Sequence, residues 1–186
     1  MIGISDIAGY LPKDTLSNYE RGAAFGFDSS FIDDKIGISR VTRKRADQDT
    51  SDLCCAALDN LCERRQLDLS KIQVLIVCTQ NPDFNVPHTS AIVHGKLGLS
   101  EQCAAFDFSL GCSGYLYGLS IVESFMRNNE FTHGLFFTAD PYSKIIKEED
   151  KDTALLFGDG ATVTYITDEP VFTCGRFTFG TKGKDF

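Results

Sequence analysis

Continuous runs of apolar residues mark the predicted strands. Residues 72–78 give the clearest run, Ile-Gln-Val-Leu-Ile-Val-Cys, which is rich in β-branched side chains and typical of a strand buried on both faces. Shorter runs predict further strands at residues 2–8, 38–45, 103–108 and 134–139. Residues 161–167 and 171–179 alternate between apolar and polar positions, which predicts that these two segments pair as a hairpin.

Helical spacing of apolar residues appears between these strands. The strongest apolar stripe predicts a helix that is capped by Thr50 or Ser51 and continues to about Gln66. Other helices are predicted at residues 17–25, 28–36, 88–97 and 113–128. Because strands and helices alternate with short connections, we expect an α/β protein in which helices flank a layered, mixed and mostly parallel sheet.

The composition is that of a soluble globular protein. The chain has 186 residues, of which 42% are hydrophobic and 24% are charged, so it has enough apolar material for a packed core and is not disordered. It contains no apolar stretch of about 18 residues, and its first residues do not resemble a signal peptide. We therefore expect a cytoplasmic protein that does not act at a membrane.

Charge narrows the choice of partners. The 18 basic and 26 acidic residues give a net charge of −8, which disfavours nucleic acid as a main partner. Residues 35–45 nevertheless hold five cations and no acid, namely Lys35, Arg40, Arg43, Lys44 and Arg45. This basic segment is either a solvated strand edge or a docking surface for an anionic ligand or an acidic partner.

The cysteines do not indicate a disulfide framework or a metal site. Seven are present, at positions 54, 55, 62, 78, 103, 112 and 174. The number is odd, none forms a C-x-x-C pair, and none is spaced against histidine as in a zinc site. This pattern favours free thiols in a reducing cytoplasm and predicts no bound metal.

One cysteine stands out by its position. In residues 106–118 a predicted strand enters a Gly-flanked turn that opens directly into a helix, which places Cys112 at the helix N-terminus. Unpaired backbone N–H groups and the positive end of the helix dipole favour a thiolate there. The small neighbours Gly111, Ser113 and Gly114 leave room for a substrate carbonyl, and the Cys112 N–H is a candidate oxyanion donor.

The environment of Cys112 leaves an alternative open. The first two turns of its helix are small or apolar, so we expect this end of the helix to be buried and the far end to be exposed. Cys112 is then either a nucleophile or, like the other six cysteines, a core residue. Its surroundings, Gly-Cys-Ser-Gly-Tyr, differ from the Cys-Gly-Ser-Cys-Trp arrangement of papain-type proteases.

A general base for this cysteine is not evident. The three histidines, His88, His94 and His133, are each more typical of structural positions than of a base beside Cys112.

The Gly158–Gly160 segment lacks the spacing of a nucleotide-binding loop, so it predicts a tight turn with no chemistry for Asp159.

Two motifs carry a family resemblance. The segments Phe106–Leu119 and Leu155–Ala161 resemble β-ketoacyl-ACP synthase III of the thiolase superfamily. Further similarity lies at Tyr10–Pro12, Ile36–Ile38 and Val86–Pro87. The resemblance implies that residues 1–186 form one N-terminal thiolase-like domain of a fold with two pseudo-duplicated halves. The chain also ends soon after a predicted strand, which we interpret in the same way.

The resemblance implies roles for particular residues. Cys112 matches the nucleophile that accepts an acyl group from CoA or acyl carrier protein. Phe31, Lys35 and Lys151 match a Trp and two Arg that contact CoA, although a lysine lacks the planar fork of an arginine. Val86 matches a residue that closes the acyl pocket of a partner subunit, which implies a homodimer.

The same resemblance gives the basic segment a function. Acyl carrier protein is acidic, so docking is implied for Arg40, Arg43, Lys44 and Arg45. The family's decarboxylating His and Asn belong to the C-terminal half and do not lie within these 186 residues. We therefore expect this chain alone to be inactive in condensation.

The implied activity is decarboxylative Claisen condensation with malonyl-ACP, as in fatty acid biosynthesis, without a metal or redox cofactor. Three alternatives stay open. The acyl group of Cys112 passes to an alcohol or amine instead, or condensation proceeds without decarboxylation, as in hydroxymethylglutaryl-CoA synthase. In the third, the chain is a non-catalytic partner subunit of a synthase.

Overall fold

The structure, a computed structural model, describes residues 1–184, so the predicted 1–186 domain extends by two residues beyond the described part. Its strands are β1 (Gly3–Tyr10), β2 (Asp14–Ser17), β3 (Arg40–Arg43), β4 (Val74–Cys78), β5 (Ala104–Phe108), β6 (His133–Ala139) and β7 (Ala161–Thr167). Its α-helices are α1 (Asn18–Ala24), α2 (Ser29–Phe31), α3 (Thr50–Arg64), α4 (Thr89–Leu97) and α5 (Gly114–Asn128). No helix within residues 1–184 has the length and apolar character needed to cross a bilayer.

Five strands form the main sheet in the order β1-β7-β6-β4-β5. Strand β4 pairs in parallel with β5 and β6, and β7 pairs antiparallel with β6 and β1. Four of the five strands therefore run in one direction, which confirms the predicted mixed and mostly parallel α/β sheet. All five residues of β4 are buried, as its apolar sequence predicts.

Both faces of the sheet are covered, and β4 shows how. Leu75 and Val77 pack into one core with residues of α3 and α4, whereas Val74 and Ile76 pack into a second core with α5. Burial removes each of these side chains from water and stabilises the folded protein by about 1.5–3 kcal/mol per residue. The carboxyl ends of β4, β5 and β6 are thereby held at one edge, where the loops that follow these strands meet.

A short antiparallel ribbon lies outside the main sheet. Strand β2 pairs with β3, so that Asp14 lies opposite Arg43 and Ser17 opposite Arg40. The sequence predicts a strand at residues 38–45 and misses β2, which is only four residues long and mostly polar. The ribbon carries the basic segment.

The predicted hairpin between residues 161–167 and 171–179 is wrong. Strand β7 forms, but β1 and β6 occupy both of its edges, so no edge is left for a following strand. Residues 171–179 instead run without regular structure, apart from one bridge between Phe172 and Ile4.

The helix ends refine the sequence predictions. Asp49, not Thr50 or Ser51, caps α3, and it forms a capping box with Asp52. Asp28 caps α2, but this helix lasts one turn before a π-helix at Ile32–Ile36, which ends at Gly37. There φ is +68°, a conformation that favours glycine.

Candidate active site

Cys112 lies in the turn between β5 and α5, at the edge where the parallel strands end. Helix α5 begins at Gly114 with Ser113 as its N-cap, so the prediction that Cys112 lies at the helix N-terminus is confirmed. The Gly114 N–H donates to the carbonyl oxygen of Gly111 at 2.8 Å, which closes the turn. Cys112 therefore stands two positions before the first residue of the helix, where backbone N–H groups are left without partners inside the helix.

The expectation that this end of α5 is buried is wrong. Gly111, Cys112 and Ser113 are exposed, and Leu116 in the first turn is 59% exposed. Among the later residues, Val122 and Met126 are fully buried. The helix therefore packs on the sheet along its whole length, whereas the face beside Cys112 is left uncovered.

Two glycines let α5 approach the sheet closely. A Cβ at Gly114 would lie 2.6 Å from the Cys78 sulfur, and a Cβ at Gly118 would overlap the ring of Phe136. Cys78 ends β4 and Phe136 lies in β6, so the glycines seat the start of the helix directly on these two strands. The Gly-rich motif is thus explained by the position that it gives to Cys112.

The other thiols are chemically distinct from Cys112. Cys54 is fully buried, and burial raises the pKa of Cys55, Cys78 and Cys103 to about 11 each. Cys112 is exposed and lies at a helix N-terminus. Among these five cysteines, it is the exposed one and therefore the one open to a substrate.

A polar cluster missed by the sequence analysis borders Gly111, the residue before Cys112. The Tyr142 hydroxyl donates to Oε1 of Gln80 at 2.9 Å. The Gln80 carboxamide lies against Gly111, since a Cβ added to this glycine would be 3.1 Å from Oε1. The Gln80 N–H donates to Oδ1 of Asp140 at 2.7 Å, and the Tyr142 N–H donates to the Asp140 carbonyl oxygen at 3.0 Å. The three residues form a closed ring of contacts.

Burial and charge act on this cluster. Burial raises the pKa of the Asp140 carboxyl, and the N–H of Gln80 and two side-chain donors only partly offset this effect. Burial also raises the pKa of the Tyr142 phenol, with smaller contributions from the negative charges of Asp140 and the Cys112 thiolate. The hydroxyl of Tyr142 therefore stays protonated at neutral pH.

An open cavity of about 430 Å³ lies at the same edge of the sheet. Asp140 and Tyr142 line it together with Leu156 and Phe157, and the rings of Tyr142 and Phe157 are 4.6 Å apart. The cavity is mostly apolar where these side chains meet. It offers space for a hydrocarbon group beside the polar cluster.

The residues predicted to contact CoA lie on separate elements. Phe31 ends α2 and stacks on Phe27, with ring centroids 4.2 Å apart, whereas Lys35 is exposed on the π-helix. Lys151 is exposed in the loop before β7. Helix α1 links these segments, because Asn18 donates from Nδ2 to the carbonyl oxygens of Ile38 and Leu155.

Val86 is 84% exposed in the loop between β4 and α4, which also carries Phe84, 61% exposed.

The three histidines differ in their surroundings. His88 is the exposed N-cap of α4, His94 lies 2.9 Å from the Ser100 carbonyl oxygen, and His133 accepts or donates a 2.7 Å hydrogen bond with Tyr165. The latter two have structural partners.

The cations of the basic segment are largely engaged within the chain. Arg43 pairs with Glu148 at 2.9 Å, and Arg45 pairs with Asp47 at 3.0 Å. Lys44 donates from Nζ to the carbonyl oxygen of Gln48 at 2.7 Å. Arg40 and Lys35 are exposed.

Asp159 has a structural function that its sequence context does not reveal. Its buried carboxylate accepts hydrogen bonds from the backbone N–H groups of Lys44 at 2.7 Å and Ser143 at 2.9 Å. It also pairs through its backbone with Thr42. The tight turn thus joins the basic ribbon to the segment that carries Tyr142.

Comparisons with known proteins find similar sequences in one family. Residues 106–183 match the family described as 3-oxoacyl-[acyl-carrier-protein (ACP)] synthase III. A β-ketoacyl-[acyl-carrier-protein] synthase III from Caldanaerobacter subterraneus subsp. tengcongensis is 36% identical over 159 residues, which cover 86% of this chain and 48% of the relative. The chain spans about half the length of the curated relatives it matches.

Solved structures give the same picture. A crystal structure of a 3-oxoacyl-(acyl-carrier-protein) synthase III is similar with a TM-score of 0.91 and 33% identity, over 98% of this chain and 55% of that one. The synthase III from Thermus thermophilus has a TM-score of 0.82 and 30% identity, over 89% of this chain and 50% of its own. These likenesses confirm the predicted thiolase-like α/β fold.

Proposed function

We propose that this chain, which belongs to the 3-oxoacyl-[acyl-carrier-protein] synthase III family, accepts an acyl group from a thioester on the sulfur of Cys112. The observation that carries the proposal is the placement of one exposed thiol just before α5, a helix whose Gly114 and Gly118 seat it on β4 and β6. The other thiols of the sheet and of α3 are held away from solvent or have a raised pKa.

The acyl transfer needs no redox change. The Cys112 thiolate attacks the carbonyl carbon of the donor thioester, and the carbonyl oxygen becomes negative while the new C–S bond forms. Backbone N–H groups at the start of α5 stabilise this oxyanion. The bond from carbon to the donor sulfur then breaks, and the released thiolate takes up the proton that Cys112 has lost. Since the thioester is already activated, we propose that no metal or cofactor takes part.

We propose further that the acyl group is condensed with malonyl-ACP, with loss of CO₂. The His and Asn that this step uses in the family are expected in a C-terminal half, and the chain covers about half of its relatives. Residues 1–186 alone would then accept the acyl group and fail to form the new C–C bond. In this proposal the product enters fatty acid biosynthesis in the cytoplasm.

The donor and the partner subunit complete the proposal. Phe31, Lys35 and Lys151 would hold the nucleotide of CoA, and the basic segment would dock acyl carrier protein. A homodimer is proposed because Val86 extends into solvent and β5, at the end of the sheet, pairs with β4 alone. A partner subunit at this edge would cover the uncovered face beside Cys112.

Intact-mass spectrometry tests the proposed acyl transfer. The chain and its Cys112→Ala variant are incubated with short and medium acyl-CoA thioesters, and Cys174→Ala serves as the matched control. We expect one acyl adduct on the chain and on the control, and none on Cys112→Ala. Adducts spread over several cysteines, or none even on a full-length protein, would favour the non-catalytic partner subunit.

A further inference from the structure

The contact between Gln80 and Tyr142 is fixed from both ends. The backbone N–H of Gln80 donates to Oδ1 of Asp140 at 2.7 Å, and that of Tyr142 donates to the Asp140 carbonyl oxygen at 3.0 Å. The Tyr142 hydroxyl donates to the Gln80 side chain at 2.9 Å. Such a ring of hydrogen bonds limits the rotamers of Gln80. Its carboxamide therefore has a defined orientation beside Gly111, the residue before Cys112.

The direction of the hydrogen bond decides what the pair offers to a ligand. The phenol stays protonated, because its pKa is raised, and it donates to Oε1 of Gln80. A carboxamide also has two N–H donors, and a phenol oxygen that donates retains its acceptor capacity. The Nε2 of Gln80 and the oxygen of Tyr142 thus offer a donor and an acceptor beside the exposed Gly111 turn that carries Cys112.

We propose that Gln80 and Tyr142 select acyl groups that carry a hydroxyl or keto oxygen near the thioester over plain hydrocarbon chains of equal length. The inference rests on the proposed acyl transfer to Cys112 and names its substrate class. Gln80 lies against the residue before Cys112 and bonds to Tyr142, so this pair borders the turn from which an acyl group on the sulfur would extend.

The physical reason is the cost of covering a polar group. A hydrocarbon chain that lies on the Gln80 carboxamide removes its N–H groups from water and returns no hydrogen bond, which weakens binding. A hydroxyl or keto oxygen accepts from Nε2 and avoids this cost. The apolar cavity beyond Tyr142 accommodates the remaining carbon atoms.

A competition experiment tests the inference with two four-carbon donors, butanoyl-CoA and 3-hydroxybutanoyl-CoA. Both are offered at equal concentration to the 186-residue chain, and the two adducts are quantified by intact mass. We expect the hydroxylated adduct to form about tenfold faster. Gln80→Leu should remove this preference, and Tyr142→Phe, which frees the Gln80 side chain, should reduce it.

Matched controls keep the result specific. Gln102→Leu changes the same side chain at an exposed position before β5 and should leave the preference as in the unchanged chain. The Gln80→Leu variant retains its backbone bond to Asp140, and circular dichroism checks its fold. An equal rate for the two donors in the unchanged chain, or an unchanged preference in both Gln80→Leu and Tyr142→Phe, would overturn the inference.

A second measurement separates this inference from the proposed function. If neither thioester acylates Cys112, the proposed function fails, and the site is probed with N-propyl and N-(2-hydroxypropyl) iodoacetamide. These reagents alkylate a thiol without catalysis, and we expect the same preference for the hydroxylated one and its loss in Gln80→Leu. If the ratio of the two alkylation rates is the same in the unchanged chain and in Gln80→Leu, the inference is overturned independently of the proposed function.

Discussion

Gly118 of α5 lies against the ring of Phe136 in β6, so closely that a Cβ at this glycine would overlap the ring. Phe136 is fully buried and stacks on Tyr115 with ring centroids 5.8 Å apart. The position of Cys112 depends on this contact, because the start of α5 is seated on β6 at this point.

We expect Gly118→Ala to destabilise the protein by about 1–3 kcal/mol, because neither the buried ring nor the helix backbone has room to move. The matched control is Gly95→Ala in α4, where a Cβ would have open space. This control should be neutral or stabilising by up to about 1 kcal/mol. Urea unfolding measures both, and equal stability of the two variants would contradict the packing described for α5.

The thiols should differ in their rates of alkylation. At pH 8 a thiol with a pKa of about 11, as in Cys55, Cys78 and Cys103, is ionised to only about one part in a thousand. We therefore expect iodoacetamide to modify Cys112 first, as measured by peptide mapping over time. Cys112→Ala should lose the fast phase and Cys174→Ala should keep it. A fast phase that persists without Cys112 would contradict this assignment.

Stability should depend on pH through Asp140. Burial raises its folded-state pKa above the ordinary value of 3.8, so in that range the folded protein binds this proton more tightly than the unfolded chain does. The contribution is therefore present below pH 3.8 and is lost as the pH rises through the raised pKa. The difference in free energy of unfolding between the unchanged chain and Asp140→Asn should therefore fall as the pH rises through this window.

Asp68 supplies a control of opposite sign. Hydrogen bonds from Ser70 lower its pKa, so its contribution is present above the ordinary value and is lost as the pH falls. The free energy of unfolding relative to Asp68→Asn should therefore rise with pH. The same slope for both comparisons would show that the described environment of Asp140 is incorrect.

Docking of acyl carrier protein is tested by charge reversal. The pairs Arg43–Glu148 and Arg45–Asp47 are largely exposed, and such pairs contribute little to stability, so an acidic partner can displace them. We expect Arg43→Glu with Arg45→Glu to reduce acyl transfer from acyl-ACP by about tenfold and to change transfer from acyl-CoA little.

Arg127→Glu at the far end of α5 is the control, since it removes an exposed cation outside the basic segment. It should leave both rates unchanged. Equal losses with acyl-ACP and acyl-CoA in the double variant would remove the docking function from these residues.

Local patterns predicted the features that depend on neighbouring residues. The apolar run of β4 and the Gly-flanked turn at Cys112 are each determined within a few residues, and both are confirmed as structural elements. Strand β2 is too short and polar for its pattern to be recognised. The predicted hairpin failed because the edges of β7 are taken by β1, at the start of the chain, and by β6.

The side chains around Cys112 could not be predicted in the same way. Gln80 and Tyr142 are 62 positions apart, and Arg43 and Glu148 are 105 apart, so their contacts follow from the sheet order and not from any motif. The sequence shows that residues 35–45 are basic and that Asp47 stands two positions from Arg45, but the pairing of Arg43 with Glu148 becomes evident only in the fold.

The position of the acyl group tests the central claim most directly. After incubation with butanoyl-CoA, the chain is digested and its peptides are mapped by tandem mass spectrometry, with and without hydroxylamine, which cleaves thioesters. We predict a hydroxylamine-sensitive butanoyl group on Cys112 and on no other cysteine. A chain that carries no butanoyl group, or carries it on another residue while Cys112 stays free, would contradict the account.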